Sequence, residues 1–286
     1  MITGTTKCIG IIGWPVEHSL SPLMQNAAFN ASKLNYAYIP MPVQPTQLTA
    51  AIQGLKALGF TGANVTIPHK IAVMPYLDAL DKSAEMVGAV NTLVIKDDKI
   101  TGYNTDAIGF VRPLLKQGTI LAGKKIVLLG AGGAARAVVW GLIEQGVEEI
   151  TIGVRSIEKA KELIEIFSPL VNIQAQEWPS PELNEKLSLC HVLVNSTPIG
   201  MYPQTDAEPS INWSLITSRI TVYDLIYTPA KTRFLQQAEA LGHLIINGSG
   251  MLVEQGAAAF TLWTGLPAPI DTMYHTLEKI QKSKSL

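Results

Sequence analysis

The sequence predicts an α/β protein of two domains, and three observations predict it. An apolar run at residues 126–129 passes straight into Gly130-Ala131-Gly132-Gly133-Ala134 and then into the helix-forming Ala135-Arg136-Ala137. Four more apolar runs follow, at residues 150–154, 192–195, 221–225 and 244–246, each separated by enough chain for a helix. Such runs, apolar without alternation, mark parallel strands covered on both faces. Ahead of all this lie about 105 residues of mixed strand and helix signals, enough for an α/β domain of their own.

The first domain reads in order as follows. Residues 8–12 form a strand that ends in the loop 13–18. Ser21 as N-cap and Pro22 at the first helical position open a helix to about residue 30. Residues 36–41 alternate as a strand does, and residues 48–58 are helical until Gly59 stops them. Residues 60–67 form a strand broken by Pro68, and residues 70–80 and 83–88 form short helices. Residues 90–95 and 100–103 make a hairpin that turns at Asp97-Asp98. After the five parallel strands, residues 251–263 form a long helix ended by Gly265. A last amphipathic helix carries Met273, Leu277 and Ile280 on one side, and residues 282–285 form a solvated tail.

The bulk properties exclude several classes. The 286 residues carry a formal net charge of −1, with no basic footprint for nucleic acid or an anionic membrane. Cys8 and Cys190 lie far apart, and the five histidines are scattered singly, so no metal site is expected. Glycines at 10 and 13 interrupt the first apolar run, which is too short for a signal core or a membrane span. The expected setting is cytoplasmic.

The glycine stretch is the first chemical signal. A strand, a glycine turn and a helix N-terminus together set free backbone N–H groups against a pyrophosphate. Gly130 allows the tight turn, Gly132 lets the backbone approach phosphates, and Ala135 stands where a third glycine is usual. A site for NAD places a carboxylate at the end of the next strand, for the ribose 2′-hydroxyl. Here that strand ends in Arg155-Ser156, with Lys159 a turn further on and no carboxylate before Glu158. A guanidinium fork with a neighbouring hydroxyl suits a 2′-phosphate, so the expected cofactor is NADP.

Three polar clusters stand out in the first domain. His18-Ser19-Leu20-Ser21-Pro22 puts hydroxyls beside a helix start, an anion site or an ordinary cap. Asn64-Val65-Thr66-Ile67-Pro68-His69-Lys70 sends Asn64 and Thr66 to one face of a strand, with Lys70 just past its break; His69 is given no role. Gly88-Ala89-Val90-Asn91-Thr92 and Gly102-Tyr103-Asn104-Thr105-Asp106 are polar sets at strand edges, each also explicable as turn chemistry.

Taken in order along the whole chain, the motifs HSLSP, NVTIPHK, GAVNT, GYNTD, GAGGAARA, NSTPIGM, YDLIY and NGSGMLVEQGA resemble the shikimate dehydrogenase family. The resemblance implies a reversible NADP-linked reduction of 3-dehydroshikimate to shikimate. It implies that Ser19 and Ser21 bind the substrate carboxylate, and that Asn64, Thr66, Asn91, Tyr227 and Gln255 hold ring hydroxyls or line the pocket. Lys70 and Asp106 match the catalytic pair. Gly130, Ala131, Gly132, Gly133, Ala134, Arg155, Ser156 and Lys159 match cofactor positions, and Leu225 and Gly248 flank the nicotinamide end.

The resemblance further implies a discontinuous substrate domain, residues 1–105 and 248–286, around a Rossmann-type doubly wound NADP domain, residues 106–247, with substrate between the two. A monomer or homodimer is expected. Two departures stand out: Val154 precedes Arg155 where an asparagine is common, and Leu225 replaces a frequent methionine. The competing readings are a quinate or dual-specificity dehydrogenase, and a non-catalytic sensor of NADP and a pathway acid.

Overall fold

The structure, a computed structural model, describes residues 2–284, with side chains to residue 281; the expected solvated tail at 282–285 lies outside the described side chains. The chain divides into two compact units, Met1–Gly109 with Val253–Leu286, and Phe110–Leu252. Each junction falls a few residues beyond the boundaries read from sequence.

In the first unit the chain runs β1 (Lys7–Gly13), α1 (Ser21–Ala31), β2 (Tyr36–Pro42), α2 (Leu48–Ala57), β3 (Gly62–Val65), α3 (His69–Ala72), β4 (Ala79–Leu80), α4 (Lys82–Val87), β5 (Thr92–Lys96) and β6 (Lys99–Tyr103). The sheet order is β2-β1-β3-β5-β6-β4. β1 runs parallel to β2 and β3, β5 is antiparallel to β3 and β6, and β4 runs parallel to β6. The β5–β6 hairpin turns where expected, with Asp97 and Asp98 both at positive φ (49° and 59°), as a two-residue turn of matching twist requires. The core of this unit joins Ile12, Val65, Val90 and Leu93 with Leu48, Ile52 and Leu55 of α2.

The expected helix over residues 70–80 is not formed. The chain makes the single turn α3, a 3₁₀ turn at Met74–Tyr76, and then the short strand β4. Pro75 has no N–H to continue the helix, and beyond it Asp78 N–H bonds Ile100 O at 3.0 Å. β2 is an edge strand. Its outward Tyr38 N–H and C=O are both bonded by the side-chain amide of Asn26, at 2.9 and 2.8 Å, and Pro40 and Pro42 share that outward parity.

Along the chain, α5 (Asp106–Lys116) begins in the first unit and from Phe110 onward belongs to the second. The second unit continues β7 (Lys125–Leu129), α6 (Ala135–Glu144), β8 (Glu149–Val154), α7 (Glu158–Phe167), β9 (Asn172–Glu177), α8 (Pro181–Leu189), β10 (Val192–Asn195), β11 (Thr221–Asp224), α9 (Arg233–Ala240) and β12 (Leu244–Ile246). All six strands are parallel, in the order β12-β11-β10-β7-β8-β9. Counting from β7, that is the doubly wound order, with the switch point between β7 and β10. β9 was missed in the sequence because its segment, Asn-Ile-Gln-Ala-Gln-Glu, is an edge strand burying only Ile173, so no apolar run marks it. Phe110 of α5 stacks on Tyr223 of β11 at 5.0 Å between centroids.

The chain ends in α10 (Gly248–Thr264) and α11 (Ile270–Lys284). From Val253 onward these helices belong to the first unit. Phe260 stacks on Phe29 at 5.3 Å, and Trp263 Nε1 donates to Leu93 O at 2.9 Å. No described helix is long and apolar enough to cross a membrane.

Candidate active site

The first unit gathers its chemistry where β1, β3 and β6 end, β5 begins, and α1, α3 and α5 start. Lys70 Nζ lies 2.6 Å from Asp106 Oδ2, both side chains being largely buried. Asp106 is the first residue of α5 rather than the end of a turn, so its carboxylate sits where a helix favours negative charge. The other oxygen, Oδ1, accepts from Asn91 Nδ2 at 2.8 Å. Asn91 is itself held, because the Thr105 backbone N–H donates to its Oδ1 at 2.8 Å and the Thr92 hydroxyl does so at 2.9 Å. With its oxygen fixed, the amide can only turn its nitrogen toward Asp106. Asn64 Nδ2 then reaches Asn91 O at 3.0 Å and Thr92 Oγ1 at 3.1 Å.

The carboxylate-binding candidates sit at the start of α1. Here one expectation is corrected: Ser21 is not the N-cap. Leu20 occupies that position without a side-chain cap, and Ser21 is the first helical residue. Leu20 already has helical angles, and the Ser21 N–H donates to Ser19 Oγ at 3.3 Å. Ser21 is buried and Ser19 half-buried. Thr66 bonds Ile12 O through its N–H at 2.9 Å, and its methyl fills the space a Cβ on Gly13 would need.

Gln255 lies half-buried on α10, next to Gly256, whose carbonyl accepts from Gln25 Nε2 at 2.9 Å. Gln25 is one turn beyond Ser21 on α1, so the two helices are tied beside both residues. His69 is buried, its Nε2 2.7 Å from Val43 O, a packing role. Sequence reasoning passed over Tyr38, Thr92 and Thr105. The last two lie inside quoted motifs, whereas Tyr38 gave only a strand signal.

The second unit presents the glycine turn at the end of β7. Gly130 has φ +96°, and a Cβ there would also meet Thr197 Cγ2 at 2.8 Å. Gly132 and Gly133 are exposed, with nothing within 4 Å of a Cβ, which leaves room for a ligand against the backbone. α6 starts at Ala135 after Ala134, whose side chain caps nothing, so its first N–H groups suit an anion. At the end of β8, Arg155 and Lys159 are exposed and Ser156 is half-buried, while Glu158 pairs with Lys161 at 3.7 Å. These residues fit a dinucleotide carrying a 2′-phosphate. Among the described residues no group of three or more His, Cys, Asp or Glu is placed to hold a metal ion.

Leu225, Tyr227 and Gly248 come together after β11. A Cβ on Gly248 would lie 2.0 Å from Leu225 O, and its N–H donates to Ile226 O at 2.9 Å. Asp224 anchors this turn. Fully buried, it accepts from Thr232 Oγ1 at 2.6 Å, Asn195 Nδ2 at 3.0 Å and Ile226 N–H at 3.1 Å. Burial outweighs these donors and raises its pKa to about 6. Burial also raises the Tyr227 phenol.

A raised carboxylate pKa means the folded state holds the proton more tightly than the unfolded chain. This group's contribution to stability is therefore gained as pH falls through about 6 and is absent above it. Asp224→Asn, which cannot titrate, should gain on the parent by on the order of 1 kcal/mol between pH 5 and pH 7.5. Paired thermal melts measure this, and a parent–variant difference that does not change with pH refutes it.

Comparison with known proteins finds relatives that span nearly the whole chain. Family models match residues 11–93 (shikimate dehydrogenase substrate binding domain), 114–202 (shikimate/quinate 5-dehydrogenase) and 248–278 (shikimate 5'-dehydrogenase C-terminal domain). The shikimate dehydrogenase (NADP+) of Methanocaldococcus jannaschii is 45% identical over 284 residues, covering 99% of this chain and 100% of that one. The shikimate 5-dehydrogenase of Listeria monocytogenes, solved with shikimate and NAD, is 36% identical with a TM-score of 0.90, covering 98% of this chain and 97% of that one. A 5-ketofructose reductase from Gluconobacter sp. strain CHM43 is similar too, at 35% identity and a TM-score of 0.89 over 97% of this chain and 100% of that one. With identities above 40% across nearly its full length, the chain belongs to the shikimate dehydrogenase family.

Proposed function

We propose that this chain catalyses the reversible NADP-dependent reduction of 3-dehydroshikimate to shikimate, an oxidoreductase step of aromatic amino-acid biosynthesis. The observation that carries the reading is the Lys70–Asp106 pair at 2.6 Å, set in a buried amide and hydroxyl network at the site the family motifs mark. When bound, the cofactor would supply the hydride in its reduced form, NADPH, and take one up as NADP in the reverse direction. Reduction of the carbonyl leaves an alkoxide, and the Lys70 ammonium donates the proton it needs. Asp106 holds that ammonium by one oxygen, while Asn91 occupies the other and keeps the carboxylate from turning. In the oxidising direction the same pair receives the proton from the substrate hydroxyl. Ser19 and Ser21 hold the carboxylate, and Asn64, Thr66, Tyr227 and Gln255 meet the ring.

A cytoplasmic enzyme, monomeric or homodimeric, goes with this reading. It is supported by the free thiols Cys8 and Cys190. Sedimentation decides the oligomeric state. The central test is NADPH oxidation with 3-dehydroshikimate, beside NADP reduction with shikimate and quinate and NADPH oxidation with 5-ketofructose. Turnover confined to one of the last two compounds overturns the proposal.

The cofactor assignment carries its own prediction, since NAD is bound in the Listeria relative. Arg155 is exposed at the end of β8, where a carboxylate would select NAD. Arg155→Ala should raise KM for NADP about ten- to a hundredfold, the loss of one charge-assisted contact worth roughly 1.5–3 kcal/mol. KM for NAD should hardly move. Equal losses for both cofactors would remove Arg155 from the phosphate site.

A further inference from the structure

Tyr38 plays no part in the chemistry assigned above, yet it is held more tightly than its place on an edge strand requires. Its side chain is 2% exposed, with the ring beside Trp263 at 6.0 Å between centroids. Its backbone is pinned on both polar atoms by Asn26. Its hydroxyl lies 2.7 Å from Asn64 Oδ1. The Asn64 amide can be read atom by atom. Its nitrogen faces the Asn91 backbone carbonyl at 3.0 Å, which can only accept.

One Asn64 N–H is therefore spent on that carbonyl and the other on Thr92 Oγ1 at 3.1 Å. Oδ1 must then be the atom facing Tyr38, and the phenol must be the donor. Burial holds the phenol far above its ordinary pKa, so it keeps that proton; the neighbouring Ser21 hydroxyl offsets only part of the shift. Asn64 is left with one oxygen lone pair and no free hydrogen.

We propose that Tyr38 is a positioning residue that fixes the donor–acceptor sense of Asn64, so that this part of the site accepts only a ligand group that donates a hydrogen bond. On the function proposed above, on which this inference rests, that group is a substrate hydroxyl. Tyr38 does not touch the substrate and acts through Asn64.

Tyr38→Phe removes the one hydroxyl and keeps the ring. It should raise KM for shikimate about tenfold, change kcat less than about threefold and leave KM for NADP unaltered. The double variant Tyr38→Phe/Asn64→Ala should bind shikimate no worse than Asn64→Ala alone, because the phenol then has nothing left to orient. Additive losses, or a lower Tm with an unaltered KM, overturn the role. A parent enzyme inert toward shikimate overturns the functional reading, and this inference with it; an active parent with an unaffected Tyr38→Phe variant overturns this inference alone. In the unsubstituted protein the Tyr38 hydroxyl proton should exchange slowly enough to be seen by NMR and should shift when shikimate is added. A signal indifferent to shikimate also counts against the role, whatever the variants' folding.

Discussion

Lys70→Ala should lower kcat at least about a hundredfold while changing KM for shikimate only modestly, as expected on losing a positioned general acid or base. Asp106→Asn should be comparably harmful for a geometric reason. Asp106 accepts from Lys70 on one oxygen and from Asn91 on the other, and both partners are donors. An asparagine has a single acceptor, so its NH₂ would be forced against one of them. The double variant should be scarcely worse than the worse single, because groups that act as a unit are strongly non-additive. A surface ion pair would behave differently: its loss would cost under about 1 kcal/mol of stability and leave kcat alone. Steady-state kinetics with circular dichroism as a folding control separate these outcomes. If Lys70→Ala retains most of its kcat, the proton chemistry lies elsewhere, and Tyr227 is the next residue to test.

Gly248→Ala should be the most damaging single methyl in the second unit. The added Cβ would lie 2.0 Å from Leu225 O, 2.5 Å from Leu225 C and 3.0 Å from Ile226 C. All three are backbone atoms that no rotamer change can move. Overpacking of this kind costs about 1–3 kcal/mol or more, so Tm should fall by about 5–10 °C. The turn carrying Leu225 should shift, and NADP binding should weaken with it. Gly132→Ala makes the contrast, since nothing lies within 4 Å of its Cβ. That variant should melt with the parent and still bind NADP poorly, because the methyl occupies the volume the phosphates need. Thermal melts with NADP titrations check both, and a Gly248→Ala protein with the parent's Tm refutes the first.

The legible parts of the fold were those where one physical signal dominates. Strands buried on both faces announce themselves as apolar runs, and a parallel sheet covered on both faces followed from five of them. The sixth, β9, was hidden because an edge strand needs only one apolar residue here, Ile173. The helix expected over residues 70–80 fails at Pro75, which has no N–H to carry it past the single turn at His69–Ala72. The N-cap at Ser21 was misplaced by one residue because Leu20, without any capping group, already adopts helical angles. Within the candidate site, Lys70, Asp106, Asn91 and Asn64 were all named from sequence, and the structure joins them through hydrogen bonds. Tyr38 was not, because its role depends on a partner 26 positions away and on the sense of an amide, neither of which leaves a trace in local pattern.

The treatment of β2 bears on how this protein keeps its own company. An open sheet edge is a template that invites another chain to add a strand, the first step toward runaway aggregation. Along β2 the Asn26 amide imitates a neighbouring strand at Tyr38, and prolines stand at the next two outward donor positions. An incoming strand would find an occupied residue and two missing donors. Any self-association of this chain therefore has to use side-chain surfaces rather than extension of the sheet through β2, and the concentrated protein is guarded at that edge against amyloid-like stacking.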